Sequence, residues 1–233
     1  VVVEVRRGSS RFISRLDGGQ TRHSFSFGEH YDAERVRFGP MVCHDEHHLA
    51  GGKGFEAHSH SDVEIVTWVL TGALEHGDDR GTADSSARVE PGTVQVLDSG
   101  PGVTHREVAV ADVGPTRFVQ VWLSRDVPAT EPSYSLAAAP LEPGVLTVVA
   151  GAGGAVPLRT PGATFRVARL EGGQTLTLPD EARQHVFVAR GALLRSSLAE
   201  PLAEGDAFLI TDDPGRQVTA AVPSELLVWS FAG

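Results

Sequence analysis

Glycine and proline punctuate this chain so often that no long helix can run through it. The 233 residues include 26 Gly and 14 Pro, and short runs rich in Val, Leu, Ile, Phe and Thr lie between them. Glu64–Leu70, Val94–Leu97, Arg117–Leu123, Gly144–Val149, Thr164–Leu170, Gln184–Ala189, Ala207–Ile210 and Glu225–Phe231 read as strands. Thr71-Gly72, Glu90-Pro91-Gly92, Glu171-Gly172-Gly173 and Ala203-Glu204-Gly205 supply turns at the spacing of sandwiches and barrels. The expected fold class is all-β. A hydrophobic fraction of 41% is enough for a sizeable core, and the length suits one large or two small domains.

The charge balance narrows the partners. Thirty acidic against 20 basic residues give a formal charge of −10, which argues against nucleic acid or an anionic membrane, because a phosphate-binding face shows clustered Lys and Arg. Cys43 is the lone cysteine, so no internal disulfide can form, and no basic-apolar leader opens the sequence. These features point to a soluble protein of the reducing cytoplasm. No apolar run approaches the ~20 residues of a membrane-spanning helix.

Two stretches recur in the same order. Val69-Leu70-Thr71-Gly72-Ala73-Leu74 parallels Val188-Ala189-Arg190-Gly191-Ala192-Leu193, and Glu90-Pro91-Gly92-Thr93-Val94-Gln95-Val96-Leu97 parallels Ala203-Glu204-Gly205-Asp206-Ala207-Phe208-Leu209-Ile210. One such pair would reflect hairpin chemistry alone; two in register indicate duplication. The expected organisation is a first barrel over 1–125, a linker over 126–142 containing Pro128, Pro132 and Pro140, and a second barrel over 143–233.

Nine of the ten histidines precede residue 106, and only His185 follows. The pattern Gly52-x5-His58-Ser59-His60-x3-Glu64-x7-Gly72 is followed by Gly100-Pro101-Gly102-Val103-Thr104-His105-Arg106-Glu107. Side chains two apart on a strand share a face, so His58 and His60 project together, as do His105 and Glu107. Neutral nitrogens and an anionic oxygen converging from rigid strands, with one or two positions left open, satisfy a borderline metal ion. Glu64 shares the face of His58 and His60 on a regular strand and competes with Glu107 as the oxygen donor. The donor set does not choose among Fe, Mn, Ni, Cu and Zn.

These motifs resemble the two motifs of the cupin superfamily of jelly-roll barrels. More narrowly, His23-Ser24-Phe25-Ser26-Phe27, Phe38-Gly39-Pro40, Val69-Leu70-Thr71-Gly72-Ala73-Leu74-Glu75-His76 and Gly102-Val103-Thr104-His105-Arg106-Glu107 resemble the pirin family, whose members are bicupins. The match covers about residues 21–123. It implies two tandem cupin-type barrels and a mononuclear iron held by His58, His60, His105 and Glu107, with Glu64 behind the site. Arg106, Ala57 and Ser59 depart from the family's usual residues and should alter the pocket wall more than the ligands.

The resemblance also implies a function. Several pirins show flavonol (quercetin) 2,3-dioxygenase activity on a small aromatic substrate and dioxygen, and Glu107 would be the catalytic proton acceptor there. Other pirins are redox-sensitive regulators that bind a protein partner, which is the alternative reading. Aligning Gly72 with Gly191 (191 − 72 = 119) places Thr177 and Pro179 opposite His58 and His60, and aligning Gly92 with Gly205 (205 − 92 = 113) places Val218 and Ala220 opposite His105 and Glu107. The second barrel is therefore expected to lack metal ligands.

Other residues read as structural. Cys43-His44-Asp45-Glu46-His47-His48 is expected in a solvated loop before Gly51-Gly52. His76 is placed at the pocket rim or behind the ligands. His23, Phe25 and Phe27 read as one buried face of a strand, with a satisfied histidine, and Trp68, Trp122 and Trp229 as core fillers. Asp78-Asp79-Arg80 reads as a polar hairpin tip.

Overall fold

A computed structural model of the chain describes residues 2–127, 129–197, 199–213 and 215–232; Pro128 of the expected linker lies outside the described residues. The strands are β1 (Val2–Arg6), β2 (Phe12–Leu16), β3 (Gly19–His23), β4 (Met41–Leu49), β5 (Gly54–His60), β6 (Val63–Thr71) and β7 (Leu74–Asp78). Next come β8 (Ser86–Val89), β9 (Thr93–Asp98), β10 (Val103–Ala109), β11 (Thr116–Ser124), β12 (Ser133–Ala138), β13 (Thr147–Ala150) and β14 (Ala163–Leu170). The last seven are β15 (Thr175–Thr177), β16 (Arg183–Arg190), β17 (Ala192–Leu193), β18 (Leu202–Ala203), β19 (Ala207–Thr211), β20 (Gln217–Thr219) and β21 (Ser224–Phe231). Seven of the eight strands expected from the sequence are present, and of Gly144–Val149 only the part from Thr147 on is strand, because Gly144 sits in a turn at φ +78°. Among the described residues, no helix is long and apolar enough to cross a membrane.

The chain divides into two compact units, one formed by Phe12–Ala139 and the other by residues up to Arg11 together with those from Pro140 onward. The first unit has a seven-stranded sheet, β12-β9-β6-β11-β4-β3-β2, and a four-stranded sheet, β5-β10-β7-β8. Leu49, Val69, Leu74, Val89, Ala109 and Phe118 pack between them. The second unit repeats the plan, with a six-stranded sheet, β1-β19-β16-β21-β14-β13, facing the pairs β15-β20 and β17-β18, which a Leu193↔Ala220 bridge links. Its core runs from Val186 and Phe208 through Val218 to Val228.

Both units turn their central hairpin the same way. Gly72 and Gly191 have φ of +74° and +82°, and a Cβ at either would collide with the hydroxyl of Thr116 or Ser224. That hydroxyl accepts from the N–H of Ala73 or Ala192 and donates to the same residue's carbonyl.

The edges depart from the sequence expectation. The run Val2–Arg6, expected in the first barrel, pairs with β19 of the second unit, Val3 opposite Ile210 and Val5 opposite Phe208, and its valines pack on that unit's core. Within the expected linker, Ser133–Ala138 is a strand paired with β9. Its alternation buries Tyr134 among Ile65, Leu97 and Val103. Cys43–His48 is not a loop but the middle of β4, between β3 and β11. Cys43, His44, Asp45, Glu46 and His47 are all buried. Polar side chains on both faces disguised it: Asp45 and His47 face one way, and Glu46, paired with Arg117, faces the other.

The alignment between units shifts as well. Gly52 N–H bonds Ala109 carbonyl and Val110 N–H bonds Ala73 carbonyl; the counterparts are Gly173 to Ala220 and Ala221 to Ala192. Those anchors give offsets of 121 on β5 (173 − 52) and 111 on β10 (220 − 109). Pro179 and Glu181 therefore stand in the places of His58 and His60, and Arg216 and Val218 in those of His105 and Glu107. The motif-based alignment errs by two residues on each strand because the stretch before Gly72 (72 − 52 = 20 against 191 − 173 = 18) and the stretch after Gly92 (109 − 92 = 17 against 220 − 205 = 15) are each two residues shorter in the second unit. A slip of two preserves the face, so the pattern alone could not reveal it.

Candidate metal centre

The candidate ligands come from two neighbouring strands of the four-stranded sheet. His58 lies opposite His105 and His60 opposite Val103 in the β5–β10 pairing, and a register shift separates His105 from Glu107. Gly54 opens β5 because a Cβ there would strike the backbone of Glu107 and Val108. On the other side of β10, Glu107 pairs with His76 of β7.

The potential donor atoms of His58, His60 and His105 all lie within 4.8 Å of one another, and those of His76, His105 and Glu107 form a second such group sharing His105. An ion with bonds of about 2 Å spans about 4 Å between opposite ligands, so the first cluster has the dimensions of one coordination shell. His60 Nε2, His76 Nδ1 and both ring nitrogens of His105 are buried with no hydrogen-bond partner among the described residues. Buried polar atoms are normally satisfied, and unsatisfied imidazole nitrogens gathered this closely suit a cation.

Neighbours set the lone pairs. His58 donates Nδ1–H to the Glu56 carbonyl at 2.7 Å, leaving Nε2 as the acceptor. His76 donates Nε2–H to Asp78 at 2.9 Å, leaving Nδ1. Burial, reinforced by His105 and His58, lowers the pKa of His60 to about 4. Burial also lowers His105, against the opposing pull of Glu107. Both rings are thus neutral near pH 7, the form that binds metal.

Glu107 is 1% exposed. Burial pushes its carboxyl pKa up, but His105, Gln120, His76 and Gln95 outweigh that and hold it below the ordinary value. Gln95 Nε2 donates to Oε1 at 3.1 Å and Gln120 Nε2 to Oε2 at 2.8 Å. Tyr134 donates to Gln95 Oε1 and Trp122 to Gln120 Oε1, both at 2.9 Å, which orients the two amides. Burial, then the charge of Glu107, keeps the Tyr134 phenol protonated by raising its pKa.

Glu64 is buried on β6, opposite Leu123 and Asp98. Strand alternation sets it on the face opposite Thr67, whose hydroxyl meets Gln95 and Gln120. His76, expected at the pocket rim or behind the ligands, is only 2% exposed and groups with His105 and Glu107. The cluster opens into a cavity of about 550 Å³ walled by Phe27, Phe55, Leu16 and Trp122. Trp122, expected as core, lines that cavity, whereas Trp68 and Trp229 are each 1% exposed. His23 is buried and satisfied by Asp45 and Ser14, and also faces the cavity.

The sequence reading missed Gln95, Gln120, Tyr134 and the His23–Asp45 pair. A glutamine at an inward position of an otherwise apolar strand, as in Val94-Gln95-Val96 and Val119-Gln120-Val121, was the available signal.

With this geometry in view, the comparisons with known proteins are decisive. The pirin family model matches residues 5–123. The chain belongs to the pirin family. This pirin is 37% identical over 235 residues to a Mycobacterium tuberculosis protein provisionally named a quercetin 2,3-dioxygenase, covering 98% of this chain and 95% of that one. An Escherichia coli O157:H7 protein named quercetin 2,3-dioxygenase is 25% identical, with 99% of each chain covered. In shape, the pirin matches the Escherichia coli bacterial pirin YhhW, solved with nickel(II), at a TM-score of 0.88 and 21% identity over 99% of each chain.

Proposed function

We propose that this pirin is a metal-dependent oxygenase of the flavonol (quercetin) 2,3-dioxygenase type, with His58, His60, His105 and Glu107 holding a mononuclear iron. The observation that carries this reading is the convergence of unsatisfied imidazole nitrogens at one end of an aromatic-walled cavity. When bound, such an ion supplies Lewis acidity toward a hydroxyl group and a redox partner for dioxygen.

The chain's own residues do the remaining work. His58, fixed by the Glu56 carbonyl, presents Nε2 without rotamer freedom. Gln95 and Gln120 hold Glu107 as an anion, able to receive the proton of a substrate hydroxyl at a carboxylate oxygen and, being weakly basic, to release it again. Trp122 and Phe27 offer flat apolar contact to an aromatic ring and exclude water from its faces.

Metal analysis of protein purified without added metal, followed by anaerobic loading with Fe(II), tests the reading. Quercetin should then trigger oxygen uptake. Retained iron without uptake, together with partner capture only by the ferric protein, would favour the regulator reading.

A further inference from the structure

The cavity has a second polar group that the metal reading does not use. Asp45 lines the cavity and is 4% exposed. Its Oδ2 accepts the Nδ1–H of His23 at 2.8 Å, while Oδ1 is buried and no N–H or O–H donor reaches it among the described residues; the only other donor to the carboxylate is the weak Cys43 thiol. A buried carboxylate oxygen left without a strong donor is costly, and in a cavity wall it suits a ligand's donor. Cys43, on the same face of β4, offers the carboxylate only a weak S–H and does not compete as an anion: burial, then the charge of Asp45 and the thiol's hydrogen bond to it, raises its pKa well above the ordinary thiol value.

The array extends outward. With Nδ1–H committed to Asp45, His23 accepts the Ser14 hydroxyl at Nε2, 2.9 Å away. Ser14 Oγ also lies 3.2 Å from His30 Nε2. Carboxylate, imidazole and hydroxyl thus form a chain in which each acceptor polarises the next. Paired strands hold it in place: Asp45 lies opposite His23, and Thr21, whose hydroxyl meets His47 at 2.8 Å, lies opposite both Ser14 and His47.

Aromatic rings link this array to the histidine cluster. Phe27 stacks on His23 at 5.0 Å and meets Trp122 edge-on at 5.5 Å, and Trp122 meets His60 at 4.6 Å. A ligand lying along that wall needs flat apolar faces and a hydrogen-bond donor beside Asp45. A carboxylate or phosphate is repelled there. A phenol meets both demands, and its acidic O–H makes a strong bond to a carboxylate system.

We propose that Asp45, His23 and Ser14 form a docking group for a phenolic hydroxyl, gripping the part of an aromatic ligand that the His58–His60–His105 cluster does not hold. Phenol docking presupposes the aromatic-substrate reading of the cavity, and binding measured without turnover lets the two fail separately.

The test compares phenol, which keeps its O–H proton at neutral pH, with benzene by equilibrium dialysis against the intact chain, with and without EDTA. The phenol should bind about tenfold tighter or more, the size of one charge-assisted hydrogen bond, with no change on adding EDTA. That preference should vanish in Asp45→Asn and shrink in Ser14→Ala, with circular dichroism confirming the fold. Ser14 is partly exposed on the edge strand β2, so Ser14→Ala decides alone if Asp45→Asn does not fold. Four results overturn the proposal: no preference in the wild type, a preference abolished by EDTA, a preference unchanged in the variants, or tighter binding of benzylamine than of the phenol. Loss of quercetin-dependent oxygen uptake with the phenol preference intact would sink the dioxygenase reading alone.

Discussion

Thr67 lies opposite Gln95 and Gln120 in the first unit; at the same places in the second unit, Val186 lies opposite Phe208 and Val228. Glu107, which the two glutamines clamp, is replaced by Val218, and all four replacements belong to one apolar cluster. In the place of His60 stands Glu181, bound to Arg166 at 2.7 Å. The strand order is nearly unchanged, so the backbone plan demands neither interior. A polar interior needs every member supplied with its partners, whereas an apolar one needs only volume. The first unit keeps its buried carboxylate because two amides, a threonine and a tyrosine were arranged around it.

The sharpest way to break this contrast is His105→Ala. Quercetin-dependent oxygen uptake of the iron-loaded protein should fall by more than about 100-fold, since changes even behind metal ligands cost 10–100-fold, and metal content should fall with it. Uptake that survives would remove His105 from the ligand set.

Placing a carboxylate into the second unit asks the reverse question. Val218→Glu puts it among Val186, Phe208 and Val228 with no amide donors, and should destabilise that unit by about 3–5 kcal/mol, as for an uncompensated buried charge. Guanidinium unfolding measures the loss. A near-neutral result would mean that the glutamine frame is dispensable.

Gln120→Val, which copies the second unit's residue into the first, leaves Glu107 with one amide. Metal affinity measured by chelator competition should weaken roughly 10- to 100-fold while the fold persists.

His185, the second unit's only histidine, gives a smaller, pH-dependent effect. Burial, then Arg6 and Arg11, lowers its pKa to about 3 from 6.5. The unfolded chain therefore binds a proton that the folded one refuses between those values. The stabilisation is complete above pH 6.5 and declines as pH falls toward 3, by at most about 1.4 kcal/mol per pH unit. Unfolding midpoints compared at pH 7 and 5, in the wild type and His185→Gln, should show the slope diminished in the variant.

The strands were legible because glycine and proline bound most of the apolar runs, and the closeness of His58 to His60 and of His105 to Glu107 because a two-residue spacing places side chains on one face. Glu107's clamp was not legible, since Gln95 and Gln120 are neither charged nor adjacent in sequence and acquire meaning only through pairing with Thr67. Cys43–His48 misled because a strand buried on both faces loses the alternation that announces it. The pairing of Val2–Arg6 is set by an edge some 200 residues away, which no local pattern encodes.

That amino-terminal strand also orders events on the ribosome. Val3 emerges 207 residues ahead of Ile210, its ladder partner (210 − 3), while the contiguous Phe12–Ala139 unit can be finished in the interval. Val2–Arg6 must therefore wait, unladdered, for Ala207–Thr211, and a substitution in the earlier strand would leave its mark on the later-made unit.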